Sequence, residues 1–358
     1  MKKIMIYAYT NFNLGDDLFI KVLCERYPNT NFTLYAPSEY KENLQELNNI
    51  TYYYSDSILF RGINFVGRKL KLNIPIRKLL AKKCDAVINI GGSIFMQKEN
   101  WKRRLKNREK IHNKPFFLLG ANFGPYENED YYRAHRNLFK DYTDVCFREK
   151  YSYDLFKDLP NVRMADDVIF QLKPQKLEKD DYIVISVIKP SIRKHLEGYD
   201  EIYYQKIKDI TLEFTENGYK VILMSFCGNE GDGTAIEKII SLLPPSSLKR
   251  VSKYLYKNNI EEALNIIGKS RFIVGTRFHA MILGLVYNIP VFPIAYSDKM
   301  INVLKDINFK GHYVDFNNIH RLKTGLVFES MKTNHIDVSE QVINAEKHFE
   351  KLDGYLLK

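Results

Sequence analysis

The sequence has little of what marks several protein classes. Its four cysteines, Cys24, Cys84, Cys146 and Cys227, are far apart and form no CxxC pair. That spacing argues against a disulfide framework or a structural zinc site, and it fits a reducing, cytoplasmic compartment. No apolar run approaches the roughly 18 residues of a membrane span. The opening Met1–Tyr9 imitates a signal peptide, but its apolar stretch stops at Thr10-Asn11 without a small-residue cleavage site. It is expected to be a first strand. The GxxxxGK[ST] spacing of a P-loop is absent, as are internal repeats and low-complexity tracts.

What is present is an ordinary globular composition, 45% hydrophobic and 27% charged in 358 residues, which excludes a disordered chain and suggests about two domains. The net charge of +11 favours anionic partners. The densest basic stretch, Lys98–Lys114, has helical character with Trp101, Leu105 and Ile111 to one side. It reads either as a solvated face or as a membrane-surface or substrate-facing helix. Trp101 is its only aromatic residue, so a nucleic-acid-binding module is not expected.

Short apolar runs alternate with helical patterns along most of the chain. Lys3–Tyr9, Phe32–Ala36, Ala86–Ile90, Phe116–Gly120 and Asp144–Phe147 form one series of expected strands. Tyr182–Ile188, Lys220–Ser225, Phe272–Gly275 and Val291–Ile294 form a second. Continuous runs such as Ile183–Ile188 suit strands buried on both faces of a parallel sheet. Asp200–Asn217 carries the clearest helical pattern, ended by Gly218. The polar segment Gln171–Asp181 with Pro174 reads as a linker. The fold class expected is α/β. Two Rossmann-like domains, residues 1–175 and 182–330, would face each other across a cleft, and a helical tail, 331–358, would cross back to the first. Ligands of such sheets gather at the carboxyl ends of the strands.

Five strand-end loops therefore attract attention. Asn11–Asp17 places Gly15 in a turn, and Asp16 or Asp17 either caps the next helix or takes a proton from a substrate hydroxyl. Gly91-Gly92-Ser93 lets backbone N–H groups approach an anion or a sugar. Asn122 and Tyr126 flank the Gly124-Pro125 turn, where Asn122 can hydrogen-bond a polar ligand and Tyr126 can stack on a sugar ring. Arg148, with Glu149 or another acid as its bland partner, can point a planar fork at a carboxylate or phosphate. Most specific is Val274-Gly275-Thr276-Arg277-Phe278-His279, which joins a buried strand to an apolar helix. Arg and His in the first turn make a cationic pocket at a helix N-terminus that already favours anions, and Lys299 enters from the next junction.

The ordered segments NFNLGDD (11–17), INIGGSIF (88–95), LLGANFGPY (118–126), CFREKYSYDLF (146–156), MADDVIF (164–170) and VGTRFHAMILGLVYNIPVFPIAYSDK (274–299) resemble the polysaccharide pyruvyl transferase family. Lys189–Arg193 matches more loosely. The resemblance implies a glycosyltransferase-B-like arrangement and transfer of the pyruvyl unit of phosphoenolpyruvate to a sugar, with ketal formation and release of phosphate. It implies donor contacts from Arg148, Arg277, Lys299, Gly275 and Thr276. Acceptor contacts would come from Gly91, Gly92, Ser93, Asn122 and Tyr126, and His279 with Asp16 or Asp17 would act as acid and base. No metal and no cofactor beyond the donor substrate is demanded. A bacterial, cytoplasmic setting with peripheral contact to the inner membrane face would bring the enzyme to a lipid-linked acceptor. The alternative is a nucleotide-sugar glycosyltransferase of the same shape, its Arg277/Lys299 pocket holding a diphosphate and Glu230 or Asp298 near a ribose.

Overall fold

The computed structural model describes residues 1–70, 74–109, 111 and 113–357. It divides into two compact units. The first comprises residues 1–10, 16–171 and 341–358, and the second 11–15 and 172–340. The first loop is thus split, because Asn11–Gly15 groups with the second unit, and so do residues 331–340 of the expected crossing tail.

The first unit holds a seven-stranded sheet in the order β3-β2-β1-β4-β5-β6-β7. Its strands are β1 (Lys3–Tyr7), β2 (Asn31–Ala36), β3 (Ile50–Tyr54), β4 (Ala86–Ile90), β5 (Phe116–Ala121), β6 (Asp144–Phe147) and β7 (Val162–Met164). All pairings are parallel. β4 and β5 are buried along their whole length, which is why they read as unbroken apolar runs. Aromatic side chains fill one side of this sheet, with Phe123, Phe139 and Phe156 meeting edge to face at 4.9–6.2 Å.

The C-terminal helices Ser339–Glu346 and Glu350–Leu356 follow. From residue 341 on, the tail packs on the first unit through charge-assisted hydrogen bonds. Arg163 holds the buried Asp144 with both arms of its fork, at 2.6 and 2.8 Å, and also donates to the carbonyls of Lys347 and His348. Arg26 and Tyr27 both donate to Asp353 at 2.7 Å.

The second unit holds a six-stranded parallel sheet, β10-β9-β8-β11-β12-β13. Its strands are β8 (Tyr182–Ser186), β9 (Lys220–Ser225), β10 (Val251–Leu255), β11 (Ile273–Gly275), β12 (Val291–Ala295) and β13 (Val314–Asp315). In each unit the first strand lies beside the fourth, so the strand order reverses there. Chain ends on either side of that reversal splay apart and leave a crevice at the carboxyl edge of the sheet. In the second unit the crevice is flanked by whatever follows β8 and β11.

The expected basic helix is short, Trp101–Lys106. Trp101, Leu105 and Ile111 pack on the core of the first unit, Trp101 meeting Tyr131 at 5.3 Å. Its apolar side is therefore spent on the core and is not offered to a membrane; Lys110 and His112 of that stretch lie outside the described residues.

Candidate functional site

The polar residues at the crevice of the second unit come from four strand ends. β11 ends at Gly275, and Met281 of the next helix closes over it: a Cβ on Gly275 would stand 3.2 Å from the Met281 backbone nitrogen. Thr276 is fully buried and accepts from Tyr203 Oη at 3.0 Å. Arg277 caps the helix Phe278–Val286 in extended conformation. Its backbone N–H donates to Ser186 Oγ, the last residue of β8, at 3.0 Å. The β8 and β11 ends are thereby fixed to one another.

The Arg277 side chain is buried and doubly paired. Nε donates to Asp232 Oδ2 at 3.1 Å, Nη2 donates to Asp232 Oδ1, and Nη1 donates to Glu230 Oε2 at 2.5 Å. Burial opposes its charge, but Asp232 and Glu230 outweigh burial and raise the guanidinium above its ordinary value. Burial pushes the Asp232 carboxyl up, while two arginine N–H groups and the Phe226 and Cys227 amides favour its anion.

Glu230 is shared. Its Oε2 also accepts from Arg193 Nη2 at 2.6 Å. Burial acts to raise the Glu230 carboxyl, yet Arg277, Arg193 and Lys299 together hold it down at about 2. Arg193 in turn lies over the Tyr296 ring at 4.5 Å, and its Nη1 is buried without a hydrogen-bond partner. Lys299 sits 5.3 Å from the Phe278 ring and 5.7 Å from that of Tyr296. Burial pushes the Tyr296 phenol up, but Lys299, Arg193 and Arg277 outweigh it and leave it below the ordinary tyrosine value.

His279 is the second residue after the helix cap and lies half-buried on the backbone of Gly15. A Cβ on Gly15 would fall 1.7 Å from Nδ1 of the imidazole. The Asn11–Gly15 segment is held there by backbone pairing. Leu14 N–H donates to the Phe226 carbonyl at 3.0 Å, Asn13 bridges Cys227, and Asn229 donates to the Asn11 carbonyl at 3.1 Å. Gly15 N–H is taken by the Asn13 side chain at 3.1 Å. The glycine is thus a seat for the imidazole.

The first unit gathers the other expected residues. Arg148 is 5% exposed and donates to Asp167 at 2.7 Å and to Asn122 Oδ1 at 2.8 Å. The acid it donates to is Asp167, and the adjacent Glu149 accepts from Ser152. Ser93 Oγ donates to the same Asn122 oxygen at 3.1 Å, and a Cβ on Gly92 would fall 2.4 Å from Arg148 Nη2. Gly91, at φ 141°, brings its α-carbon close to Asp16: a Cβ there would stand 3.7 Å from Asp16 Oδ1. Arg148 therefore keeps company with Gly92, Ser93 and Asn122 in the first unit, while Arg277 and Lys299 belong to the second. Tyr126 is half-buried and stacks on Tyr131 and Tyr132 at 6.3 and 6.1 Å. Asp17 is fully buried, accepting from Tyr40 Oη at 2.6 Å and Asn43 at 3.0 Å, so it anchors the helix it belongs to.

Sequence reasoning singled out Arg277, His279 and Lys299 but not Asp232, Arg193 or Tyr296 as their neighbours. The signal for these was topological: residues following β8, β9 and β12 flank or adjoin the reversal in strand order.

Both sheets, each in the 3-2-1-4-5-6 order or an extension of it, define two Rossmann-like units of the glycosyltransferase-B-like kind. Solved structures with this architecture include UDP-GlcNAc 2-epimerase from Neisseria meningitidis bound to UDP-GlcNAc, at TM-score 0.61 and 11% identity over 100% of both chains. The ADP-heptose heptosyltransferase II of E. coli aligns at TM-score 0.50 and 14% identity, over 97% of this chain and 100% of that one. At such identities the likeness is one of fold. The chain belongs to the polysaccharide pyruvyl transferase family, whose model matches residues 13–298. The amylovoran biosynthesis protein AmsJ of Erwinia amylovora is 21% identical over 296 residues, 74% of this chain and 69% of that protein.

Proposed function

We propose that this protein transfers the pyruvyl unit of phosphoenolpyruvate to a sugar of a bacterial polysaccharide or its lipid-linked precursor, forming a cyclic ketal and releasing phosphate. One observation carries the reading within this family: Arg193, Arg277, Lys299 and His279 converge on the β8/β11 reversal at a helix N-terminus. A carboxylate and a phosphate on a three-carbon donor need such a set, and arginine forks select their geometry.

His279 protonates the methylene carbon of the donor, and the neighbouring carbon gains oxocarbenium character. A sugar hydroxyl adds to that carbon and gives its proton to Asp16, which is half-buried where Asp17 is fully buried. A second hydroxyl displaces phosphate and closes the ketal; its proton returns to His279, and the proton taken by Asp16 leaves with the phosphate. Arg193, Arg277 and Lys299 stabilise charge on the departing phosphate. The first unit carries Gly91, Gly92, Ser93, Asn122 and Tyr126 as candidate sugar-binding residues, and Arg148 orients Asn122. The scheme consumes the donor as a substrate and calls for no other cofactor. A cytoplasmic site of action follows from where phosphoenolpyruvate is made.

Glu230 already occupies the gap between Arg193 and Arg277, so an incoming donor anion competes with it for both forks. The test is thermal stabilisation of the purified protein by phosphoenolpyruvate, UDP, GDP and CMP. At about 100 times its Kd a ligand adds roughly 2.7 kcal/mol. Stabilisation by phosphoenolpyruvate, absent in Arg193→Ala, is the expected result. Stabilisation by a nucleotide instead would shift the assignment to glycosyl transfer.

A further inference from the structure

The helix Ile58–Lys69 of the first unit has one broad apolar side, and only part of it is buried. That part carries Phe60 and Ile63 and packs inward, Phe60 meeting Tyr35 at 5.3 Å and Tyr53 at 6.4 Å. The adjoining, exposed part carries Ile58, Leu59, Phe65 and Val66, which are 92, 67, 61 and 49% exposed, and Leu70 just beyond the helix is 59% exposed. At 100° per residue these five fall within an arc of about 140°, with Gly62 and, at the end of the helix, Lys69 among them. Apolar side chains grouped in this way mark a surface that is covered by something.

The charge around the stripe identifies the cover. Arg61 and Lys69 are exposed on the same helix. From Ser57 to Cys84 the sequence has eight basic residues and no acidic one. Arg77 is drawn inward to Thr10 and the Ala8 carbonyl, while Lys82 and Lys83 are exposed. A second copy of the same chain would set cation against cation. A partner that is both apolar and anionic fits: a lipid surface with acidic headgroups, into which the stripe inserts while Arg61 and Lys69 stay at headgroup level. No helix among the described residues is long and apolar enough to cross a membrane, so the contact is one of lying on the surface.

We propose that the outer face of Ile58–Lys69 docks this protein on an anionic membrane. The inference deepens the functional reading, since it brings the enzyme to lipid-linked acceptors, and rests on it only for that purpose.

The test is co-sedimentation of the full chain with vesicles of phosphatidylcholine alone or with about 30 mol% phosphatidylglycerol. The expected partition coefficient is at least about tenfold higher on the anionic vesicles and falls with added salt. Leu59→Glu with Phe65→Glu lowers it at least about tenfold, while the melting temperature and phosphoenolpyruvate binding stay unchanged. Equal partitioning on both vesicles, or undiminished binding by the double variant, overturns the proposal. So does a protein that sediments as a dimer and becomes monomeric in the variant, because the face would then belong to a second copy. None of these readouts uses turnover, so a failure here leaves the pyruvyl-transfer reading standing and the reverse also holds.

Discussion

Gly15→Ala tests whether His279 acts from its seat on the Asn11–Gly15 segment. A Cβ at residue 15 would lie 1.7 Å from Nδ1, 2.3 Å from Cγ and 2.5 Å from Cε1 of the imidazole. Contacts of a real Cβ do not fall below about 3.0 Å, so the ring must withdraw by at least about 1.3 Å. A displacement of about 1 Å at a reacting group costs roughly 100-fold in rate, or about 2.7 kcal/mol of transition-state stabilisation. The fold itself loses little, because residue 15 lies in the first turn of the helix Leu14–Arg26 and alanine is the better helix former by about 0.8–1 kcal/mol. Phosphate release from phosphoenolpyruvate with a competent acceptor is the assay. kcat is expected to fall about 100-fold with KM for the donor nearly unchanged. Gly325→Ala, where nothing lies within 4 Å of the new methyl, is the control and should keep full activity. If the glycine acts only through the imidazole, Gly15→Ala placed on His279→Ala adds no further loss. A folded Gly15→Ala protein with kcat within about twofold of the parent, or a loss that adds to that of His279→Ala, would refute the reasoning.

Two further predictions concern charge. Glu230→Gln keeps the shape of the side chain but removes the anion shared by Arg193 and Arg277, so phosphoenolpyruvate should bind about tenfold tighter or better, as calorimetry can measure; weaker binding would mean that Glu230 braces the arginines instead of standing in for a ligand. Acid should weaken the first unit well before its carboxylates titrate: burial lowers His348 to about 3 and His135 to about 4, against 6.5 when unfolded. A depressed imidazole contributes stability in full above the unfolded value and loses it as pH falls toward the folded one. From pH 7 to pH 5 each histidine costs up to about 2 kcal/mol. Urea unfolding followed by a probe in that unit should show a fall of about 4 kcal/mol, and equal stability at both pH values would contradict the burial argument.

The division of the fold between what could and could not be read in the sequence follows the sheet positions. Interior strands such as Ala86–Ile90 and Tyr182–Ser186 are covered on both faces and must be apolar throughout, so they announce themselves. The four strands absent from the sequence reading, β3, β7, β10 and β13, are the four sheet edges. β3 is half-buried at every position and spells Ile-Thr-Tyr-Tyr-Tyr, which reads equally well as an aromatic surface patch. β10 alternates no better, with Ser252, Lys253 and Leu255 all exposed in Val-Ser-Lys-Tyr-Leu. β7 and β13 have three and two residues, too few for any period to show.

The site divides differently, because its partners are distant in sequence. Arg277 and His279 stood out through a local conflict, a cation where a helix start prefers an anion. The structure resolves half of that conflict: Asp232 and Glu230, which follow β9, supply the missing anions from 45 and 47 residues away. No window along the chain contains both sides of that pairing. This bears on how the site should be probed. Arg277→Ala would leave the fully buried Asp232 without its counter-charge, a loss of about 3–5 kcal/mol. Failure to bind a donor would then be indistinguishable from local unfolding. Arg193 has no such partner: it touches Glu230, which is itself anchored by Arg277, and it presents a buried, unpartnered Nη1 beside Tyr296. The arginine that the sequence marks most strongly is therefore the poorer probe of ligand binding, and the one in the loosely matching loop is the better.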